Sequence, residues 1–384
     1  MNLWDDIVGQ DDAVRVLKRA AAVTDVRDRE MTHSWLITGP PGSGRSNLAY
    51  AFAADLLSPG ERDAVVHRQV AARSHADLVR LTTEGVTITV AAAREAARKV
   101  NFAPSSGRYR VVVVEDADRM NEQAANALLK AIEEPPDQTV WILCAPSEAD
   151  LLPTIRSRVR SLVLHVPSVE DVAQLLHNRD GVDLELARTA AREAQSHIGM
   201  ARRLATDEAA RERRAKTVDA VLRITSVGGA IRTAQTLVDV ANEDAKSLGE
   251  EHLAEQEEQF LRQLGLTPGA TVPRQLRGQL TQFKKSMKDR ERRGVRDGVD
   301  RVLVDLLSVF RDALLVSIGR PDDLVNDAER DRITEFAEQL RAEGALAVLD
   351  ALSTARERIE GNVPVLLAIE AALVTVAERR ALAA

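Results

Sequence analysis

The segment from Gly39 to Ser46, GPPGSGRS, matches the phosphate-binding pattern G-x-x-x-x-G-K-[ST] at every fixed position except Arg45. It follows an apolar run and precedes a helical pattern, which is the context that such a loop requires. Glycines allow backbone N–H groups to surround a phosphate, and the Ser46 hydroxyl is placed to bind Mg²⁺. The predicted phosphate site consists of Gly39, Gly42, Gly44, Arg45 and Ser46.

Arg45 stands where the pattern has lysine. A lysine brings a compact ammonium to the terminal phosphates, whereas the planar, longer guanidinium cannot occupy the same point without a shift of the loop or the nucleotide. We therefore predict a weakened site that does not support normal hydrolysis. Whether ATP or ADP with Mg²⁺ still binds weakly stays open at this point.

A second acidic element, Glu115-Asp116, follows the apolar run Val111 to Val114. Ligands bind at the carboxyl ends of strands in open α/β sheets, so these carboxylates are candidates for holding Mg²⁺ and water. The usual order is Asp then Glu, and the swap moves each carboxylate by about one methylene; misplacement near 1 Å costs roughly 10²-fold in rate. Taken alone, the pair would be an ordinary acidic turn.

Short strand-like runs alternate with helical patterns as far as about residue 165, which predicts an α/β fold with a parallel sheet. We expect these strands to be buried on both faces. The strand-like runs are 34–38, 78–81, 111–114, 140–143 and 162–164.

Strand signals nearly vanish after Ser168, which with Glu170 and Asp171 predicts the start of a helix. Helical spacing then covers 169–177 and 184–203. We predict three domains: an α/β domain over 1–166, a small helical lid over 167–214 and an all-α collar over 215–384.

Apolar stripes at helical spacing predict core helices in the collar, with loops at 265–269 and 319–321. The acidic run 243–258 is interpreted as a solvated helix face, whereas the basic run from Lys284 to Arg301 is either solvated or faces DNA or an acidic partner. One stripe contains Val299, Val302, Leu303, Leu306, Leu307, Phe310, Leu314 and Ile318, and the other contains Val365, Leu366, Ile369, Leu373 and Val376.

Composition excludes several classes of protein. The net charge of −7 argues against a protein coated in basic surface, and the single cysteine, Cys144, excludes an intramolecular disulfide or a thiolate metal cluster. No apolar run approaches the roughly 18 residues that span a bilayer, so the cytoplasm is the expected location. We predict no metal centre and expect His67 and His75 to face solvent.

Four further segments resemble the motifs of one protein family. The segments 126–136 (NALLKAIEEPP) and 151–158 (LLPTIRSR), together with 4–10 (WDDIVGQ) and 33–36 (HSWL), resemble the clamp-loader branch of the AAA+ ATPases. The resemblance covers residues 1 to about 205 by motif and the remainder by layout. It implies a P-loop sheet domain, a lid and a helical collar through which subunits assemble into an open ring.

In that family an arginine of a Ser-Arg-Cys motif reaches the ATP of a neighbouring motor subunit. The matching segment here is Ser157-Arg158-Val159, so the resemblance implies that Arg158 acts in trans. In an arginine-rich chain, Arg156, Arg158 and Arg160 are alternatively ordinary surface cations. The position of Arg158 after the segment 153–155 distinguishes it from the other two.

The same resemblance predicts two sensor positions, whose side chains would lie near a bound phosphate. Motor subunits of the family place a threonine or asparagine where this chain has Pro146, whose side chain has no donor. Arg202, in the segment 199–202 (GMAR), matches the lid sensor and would approach a phosphate; an exposed helical arginine is the alternative.

The departures at Arg45, Glu115-Asp116 and Pro146 affect charge neutralisation, metal placement and phosphate sensing. The sequence therefore favours a clamp-loader subunit that lacks its own ATPase and polymerase activity. Its implied partners are ATP-hydrolysing motor subunits, a further ring subunit, the sliding clamp and primed DNA. The alternatives are an active clamp-loader ATPase and an AAA+ ATPase outside replication.

Overall fold

The computed structural model describes residues 2–23, 31–58, 63–83, 87–263 and 277–383; for 247–263, 277–293 and 383 it describes the backbone alone. The chain forms two compact units, Met1–Thr206 and Asp207–Ala384. The finer division into three domains at 166/167 and 214/215 stays a prediction.

The first unit contains a five-stranded sheet in the order β2-β3-β4-β1-β5, and every strand pair is parallel. The predicted α/β class is therefore confirmed. The strands are β1 Ser34–Thr38, β2 Leu78–Leu81, β3 Arg110–Val114, β4 Thr139–Ala145 and β5 Arg160–Val163.

Burial on both faces holds for β1, β3 and β4, which are buried along their whole length. It is wrong for the edge strands, because each has a neighbour on one side only: β2 exposes Arg80, and β5 is largely exposed. The last strand also begins two residues earlier than the apolar run 162–164, since backbone pairing with β1 starts at Trp35 opposite Arg160.

Helices cover both faces of the sheet because side chains alternate along each strand. Trp35 and Ile37 of β1 pack with Phe52 on one side, whereas Leu36 packs with Leu128 on the other. The helices of this part are α1 Asp11–Ala22, α2 Arg45–Leu57, α3 Ala64–Ala71, α4 Val90–Lys99, α5 Glu122–Glu133 and α6 Pro153–Arg156.

Asp77, which is fully buried just before β2, fixes the loop that leads into β3. Its carboxylate accepts hydrogen bonds from the backbone N–H groups of Ser105 (2.6 Å), Ser106 (2.9 Å) and Gly107 (3.1 Å), and from the Arg110 guanidinium at 3.1 Å. Burial opposes ionisation, but the three backbone donors outweigh it and lower the pKa of Asp77 from 3.8 to about 2.

Three further helices follow the sheet: α7 Val169–Asp180, α8 Leu184–Glu193 and α9 Ile198–Thr206. The predicted start at Ser168 is confirmed, since Ser168 and Asp171 form a capping box. The helical spacing over 184–203 predicts one helix, but the structure has two, α8 and α9. Gln195 (φ 51°) and Ser196 (φ 62°) between them adopt left-handed backbone, which interrupts the helix.

The second unit is helical, and both predicted stripes contribute to its core, with the exception of Ile318, which follows the end of α12 and is 56% exposed. The loop at 319–321 is present, with Gly319 at φ 74°, and α13 is kinked at Arg341. The helices are α10 Glu208–Leu222, α11 Val227–Gln263, α12 Arg277–Ser317, α13 Arg330–Glu360 and α14 Val365–Ala383.

The predicted loop at 265–269 lies outside the described residues, and so do the side chains of 247–258 and 284–293 in the two charged runs. Across the ranges that the structure covers, no helix combines the length and apolarity that a membrane crossing needs.

Asp77→Asn should lower the free energy of unfolding at pH 7 by about 3 kcal/mol, because it removes the charge that Arg110 and the backbone donors stabilise. In the wild type, the stabilisation is complete above the unfolded pKa and falls by about 2 kcal/mol as the pH drops from about 4 to about 2. Urea titrations across this pH range measure both effects. Asp137→Asn, on an exposed turn, is the matched control. An identical acid response in wild type and Asp77→Asn would contradict this assignment.

Candidate nucleotide site and exposed arginine

The phosphate-binding loop connects β1 to α2, as the motif predicts. Gly42 (φ 82°) and Gly44 (φ 90°) have left-handed backbone that favours glycine, and Gly44 is the N-cap of α2. The Gly39 N–H donates to the Pro146 carbonyl at 3.2 Å. The loop is thus attached to the chain that follows β4, at the same end of the sheet.

His197 lies against the phosphate-binding loop. A Cβ atom at Gly42 would lie 2.3 Å from His197 Cγ and 2.6 Å from His197 Cα, and the Ile198 N–H donates to the Gly42 carbonyl at 3.3 Å. Position 42 therefore requires glycine for space as well as for backbone angle. The sequence pattern did not indicate His197, because its position depends on the turn at Gln195 and Ser196.

Two donors of the loop are buried without a hydrogen-bond partner among the described residues: Ser43 Oγ and Arg45 Nη1. Burial of an unpaired donor is unfavourable, so these atoms favour an acceptor such as a phosphate oxygen. The donor set of the loop therefore fits an anion, and Arg45 supplies positive charge where the pattern has lysine.

Glu115 is engaged by neighbouring side chains. The buried Tyr50 hydroxyl donates to Glu115 Oε1, and Arg80 Nε lies 3.6 Å from the same oxygen. The Arg73 guanidinium lies over the Tyr50 ring, 3.1 Å from its centroid. Burial, and then the charge of Glu115, raise the pKa of Tyr50 above its ordinary range, so the phenol stays protonated and acts as a donor.

The neighbouring acidic residues add negative charge near Arg45. Asp116 precedes a 3-10 turn at Ala117–Arg119. Burial, with a further contribution from the Asp116 charge, raises the pKa of Asp118, while Arg45 opposes this shift.

The phosphate-binding loop fits an anion, but the side chains around Glu115 do not fit a magnesium ion. Mg²⁺ needs near-octahedral oxygen ligands, and Glu115 Oε1 already accepts the Tyr50 hydroxyl beside Arg80. Over the ranges that the structure describes, no cluster of three or more His, Cys, Asp or Glu residues is placed to hold a metal ion.

The predicted sensor positions have other partners in this structure. Ser147, next to Pro146, caps the following 3-10 turn by accepting the Ala149 N–H. Arg202 Nη2 lies 3.0 Å from Asp180 Oδ1, so its guanidinium forms an ion pair between α9 and α7. The approach of Arg202 to a phosphate stays a prediction.

The expectation that His67 and His75 face solvent is wrong. Their exposed fractions are 3% and 7%, because His67 Nε2 lies 3.3 Å from Asp55 Oδ1 and His75 Nδ1 accepts the Asp77 N–H. The polarity of the surrounding segment did not reveal these buried partners.

Arg158 lies directly after α6, at the surface, with 34% of its side chain exposed. Its Nη1 donates to the Thr154 carbonyl at 2.8 Å and to Ser157 Oγ at 3.1 Å. Its Nη2 donates to Glu133 Oε1 at 3.0 Å. In contrast, Arg160 stacks on the Trp35 ring at 4.9 Å.

Strand direction separates Arg158 from the phosphate-binding loop. Gly39, Glu115 and Pro146 follow the carboxyl ends of β1, β3 and β4. Arg158 precedes β5, and β5 is parallel to β1 with Arg160 opposite Trp35. Arg158 therefore lies at the amino edge of the sheet, meaning the end at which the strands begin. A strand of four residues separates this end from the carboxyl end by about 13 Å. The guanidinium and the loop belong to opposite edges.

Part of the chain is similar to known proteins. Residues 9–168 match the family described as DNA polymerase III, delta subunit. The chain is 35% identical over 167 residues to the DNA polymerase III subunit delta' of Pseudomonas aeruginosa, covering 40% of this chain and 50% of that protein. It is 37% identical over 143 residues to the delta' subunit of Escherichia coli, covering 35% of this chain and 43% of that protein.

A relative of another type also matches part of the chain: subunit tau of Bacillus subtilis is 28% identical over 162 residues, covering 40% of this chain and 28% of that protein. The chain thus spans half or less of the length of these curated relatives. A DNA polymerase III gamma subunit-related protein of Thermotoga maritima has 17% identity and a TM-score of 0.44, covering 97% of this chain and 99% of that one.

The family model matches the α/β part, with its phosphate-binding loop and its 126–136 and 151–158 motifs. The predicted resemblance is therefore confirmed: residues 9–168 match the family model, and part of the chain is similar to delta' subunits of DNA polymerase III.

Proposed function

We propose that this chain is the delta' subunit of a clamp loader, lacks its own ATPase activity and supplies Arg158 in trans to the ATP of an adjacent motor subunit. The observation that carries the proposal is the placement of Arg158 on the sheet edge opposite the chain's own phosphate-binding loop. A guanidinium there would be available to a neighbouring subunit and lies away from the chain's own loop.

The chemistry is charge neutralisation. Phosphoryl transfer develops negative charge on the equatorial oxygens, and a positioned guanidinium stabilises it. When Mg·ATP is bound in the neighbouring motor subunit, the metal supplies further neutralisation there. In this chain Glu115 is engaged by Tyr50 and lies beside Arg80, which supports a subunit that does not hydrolyse ATP itself.

The proposed partners follow from this role. The motor subunits would be of the gamma/tau type, and a delta subunit, the beta sliding clamp and primed DNA would join through the complex. The helical unit from Asp207 onward would be the collar that holds the ring together, and assembly would take place in the cytoplasm. The ADP- or ATP-binding capacity of the phosphate-binding loop would be weak and independent of turnover.

An active clamp-loader ATPase is the second candidate, because the chain also matches tau and gamma subunits. Steady ATP turnover by the isolated chain that Ser46→Ala abolishes would favour this candidate. An unchanged rate when Ser46→Ala is introduced into the assembled complex would support the delta' proposal, because the chain's own loop would then take no part in turnover.

Arg158→Ala should lower clamp- and DNA-stimulated ATP hydrolysis by a complex reconstituted with the motor and delta subunits of the same organism. The rate of hydrolysis at the affected site should fall by about 10³-fold or more, which is the effect of removing a trans arginine in related phosphoryl-transfer reactions. Arg156→Ala is the matched control, since Arg156 is exposed and only two residues away. Equal rates for wild type and Arg158→Ala, with both complexes assembled, would refute the trans role.

Tyr50→Phe should strengthen the Mg²⁺ dependence of nucleotide binding by the isolated chain, because it removes the donor that engages Glu115. A hydrogen bond to a charged group is worth enough to change affinity by about 10-fold. Tyr109→Phe is the control, since Tyr109 is the other tyrosine of the chain and is also buried. Fluorescence titration with a labelled nucleotide, with and without Mg²⁺, measures the effect. An unchanged Mg²⁺ dependence would show that Glu115 is not the limiting group.

A further inference from the structure

We propose that Glu133 is a positioning residue for Arg158: its carboxylate holds the guanidinium in the orientation from which it reaches a neighbouring phosphate. This inference rests on the proposed trans role of Arg158. It adds a residue that the Ser-Arg motif does not contain, since Glu133 lies 25 positions earlier in the chain.

Two helix ends bring the pair together. Glu133 is the last residue of α5, and Arg158 follows the short helix α6, whose C-cap is Ser157. β4 begins soon after α5, and β5 begins soon after α6, so both helices end at the amino edge of the parallel sheet. The fold therefore determines the separation of Glu133 and Arg158, and their contact does not depend on a flexible loop.

Both terminal nitrogens of the guanidinium are held, and they are held by different elements. Nη2 donates to Glu133 Oε1 at 3.0 Å, whereas Nη1 donates to the Thr154 carbonyl at 2.8 Å and to Ser157 Oγ at 3.1 Å. An arginine side chain without such contacts would sample many rotamers. Contacts on both nitrogens fix the plane of the guanidinium as well as its position.

Donor capacity remains for a phosphate. A guanidinium has five N–H groups, and Arg158 uses its terminal nitrogens in the contacts above, while Nε makes no hydrogen bond with any residue that the structure describes. The side chain is also partly exposed, and so is Glu133. The arrangement thus fixes Arg158 and leaves donors available to an incoming anion.

The role of Glu133 concerns orientation more than stability. Ion pairs between exposed side chains contribute little to folding, because water and salt screen them and both side chains lose rotamer freedom. A misplacement near 1 Å at a reacting centre, however, is costly in rate. Loss of Glu133 should therefore affect the rate of hydrolysis in the neighbouring subunit and leave folding and assembly of this chain intact.

The test uses the reconstituted complex with the 384-residue chain. Glu133→Ala should slow clamp- and DNA-stimulated ATP hydrolysis at the adjacent motor site by about 3- to 10-fold, seen as a separate slow phase in a single turnover, and should leave the KM for ATP unchanged, because the motor subunit still binds its nucleotide normally. Glu133→Gln, which keeps an acceptor for Nη2, should recover part of the loss. Glu134→Ala is the matched control, since Glu134 is the adjacent exposed residue.

A double variant identifies the cause. If Glu133 acts through Arg158, Glu133→Ala should have no further effect in an Arg158→Ala background. An equal loss in that background would indicate a structural role and overturn the inference. A faster complex with Glu133→Ala would show that Glu133 restrains Arg158 and would also overturn it.

The same series separates failure of this inference from failure of the proposed function. If Arg158→Ala slows the complex and Glu133→Ala does not, only the positioning role is wrong. If neither variant changes the rate in an assembled complex, the trans role of Arg158 is wrong and the positioning role fails with it. Gel filtration of each complex establishes assembly.

Discussion

The parallel direction of the five strands is the constraint on which the two candidate functional regions depend. It gathers the phosphate-binding loop, Glu115 and Pro146 at the carboxyl edge, where open α/β sheets bind ligands. It also places Arg158, which precedes β5, at the amino edge. A single sheet thus presents an anion-binding loop at one end of its strands and a guanidinium at the other.

The carboxyl edge is largely occupied by the chain's own groups. His197 lies against Gly42, Pro146 accepts from Gly39, and Tyr50 donates to Glu115. Among the described residues, the buried Arg45 Nη1 has no hydrogen-bond partner. At the amino edge, in contrast, Arg158 donates to three acceptors and its side chain is still partly exposed to solvent. One end of the strands thus carries a buried donor, and the other presents a partly exposed one.

Sequence reasoning reached the elements whose signals are local. Apolar runs located the five strands, Ser168 with Asp171 located the start of α7, and the glycine pattern located the phosphate-binding loop. It failed where the determining contact is distant along the chain. The contacts of Tyr50 with Glu115 and of Glu133 with Arg158 join residues 65 and 25 positions apart, and His67 and His75 are buried by partners that no local pattern reveals.

The trans role of Arg158 is tested most directly by rapid-quench measurement of ATP hydrolysis in a single turnover of the assembled complex on clamp and primed DNA. With Arg158→Ala, the fast-phase amplitude should fall by the equivalent of one motor site, while the remaining sites hydrolyse at their wild-type rate. An unchanged amplitude, or an equal slowing of every site, would contradict a guanidinium that serves one adjacent ATP.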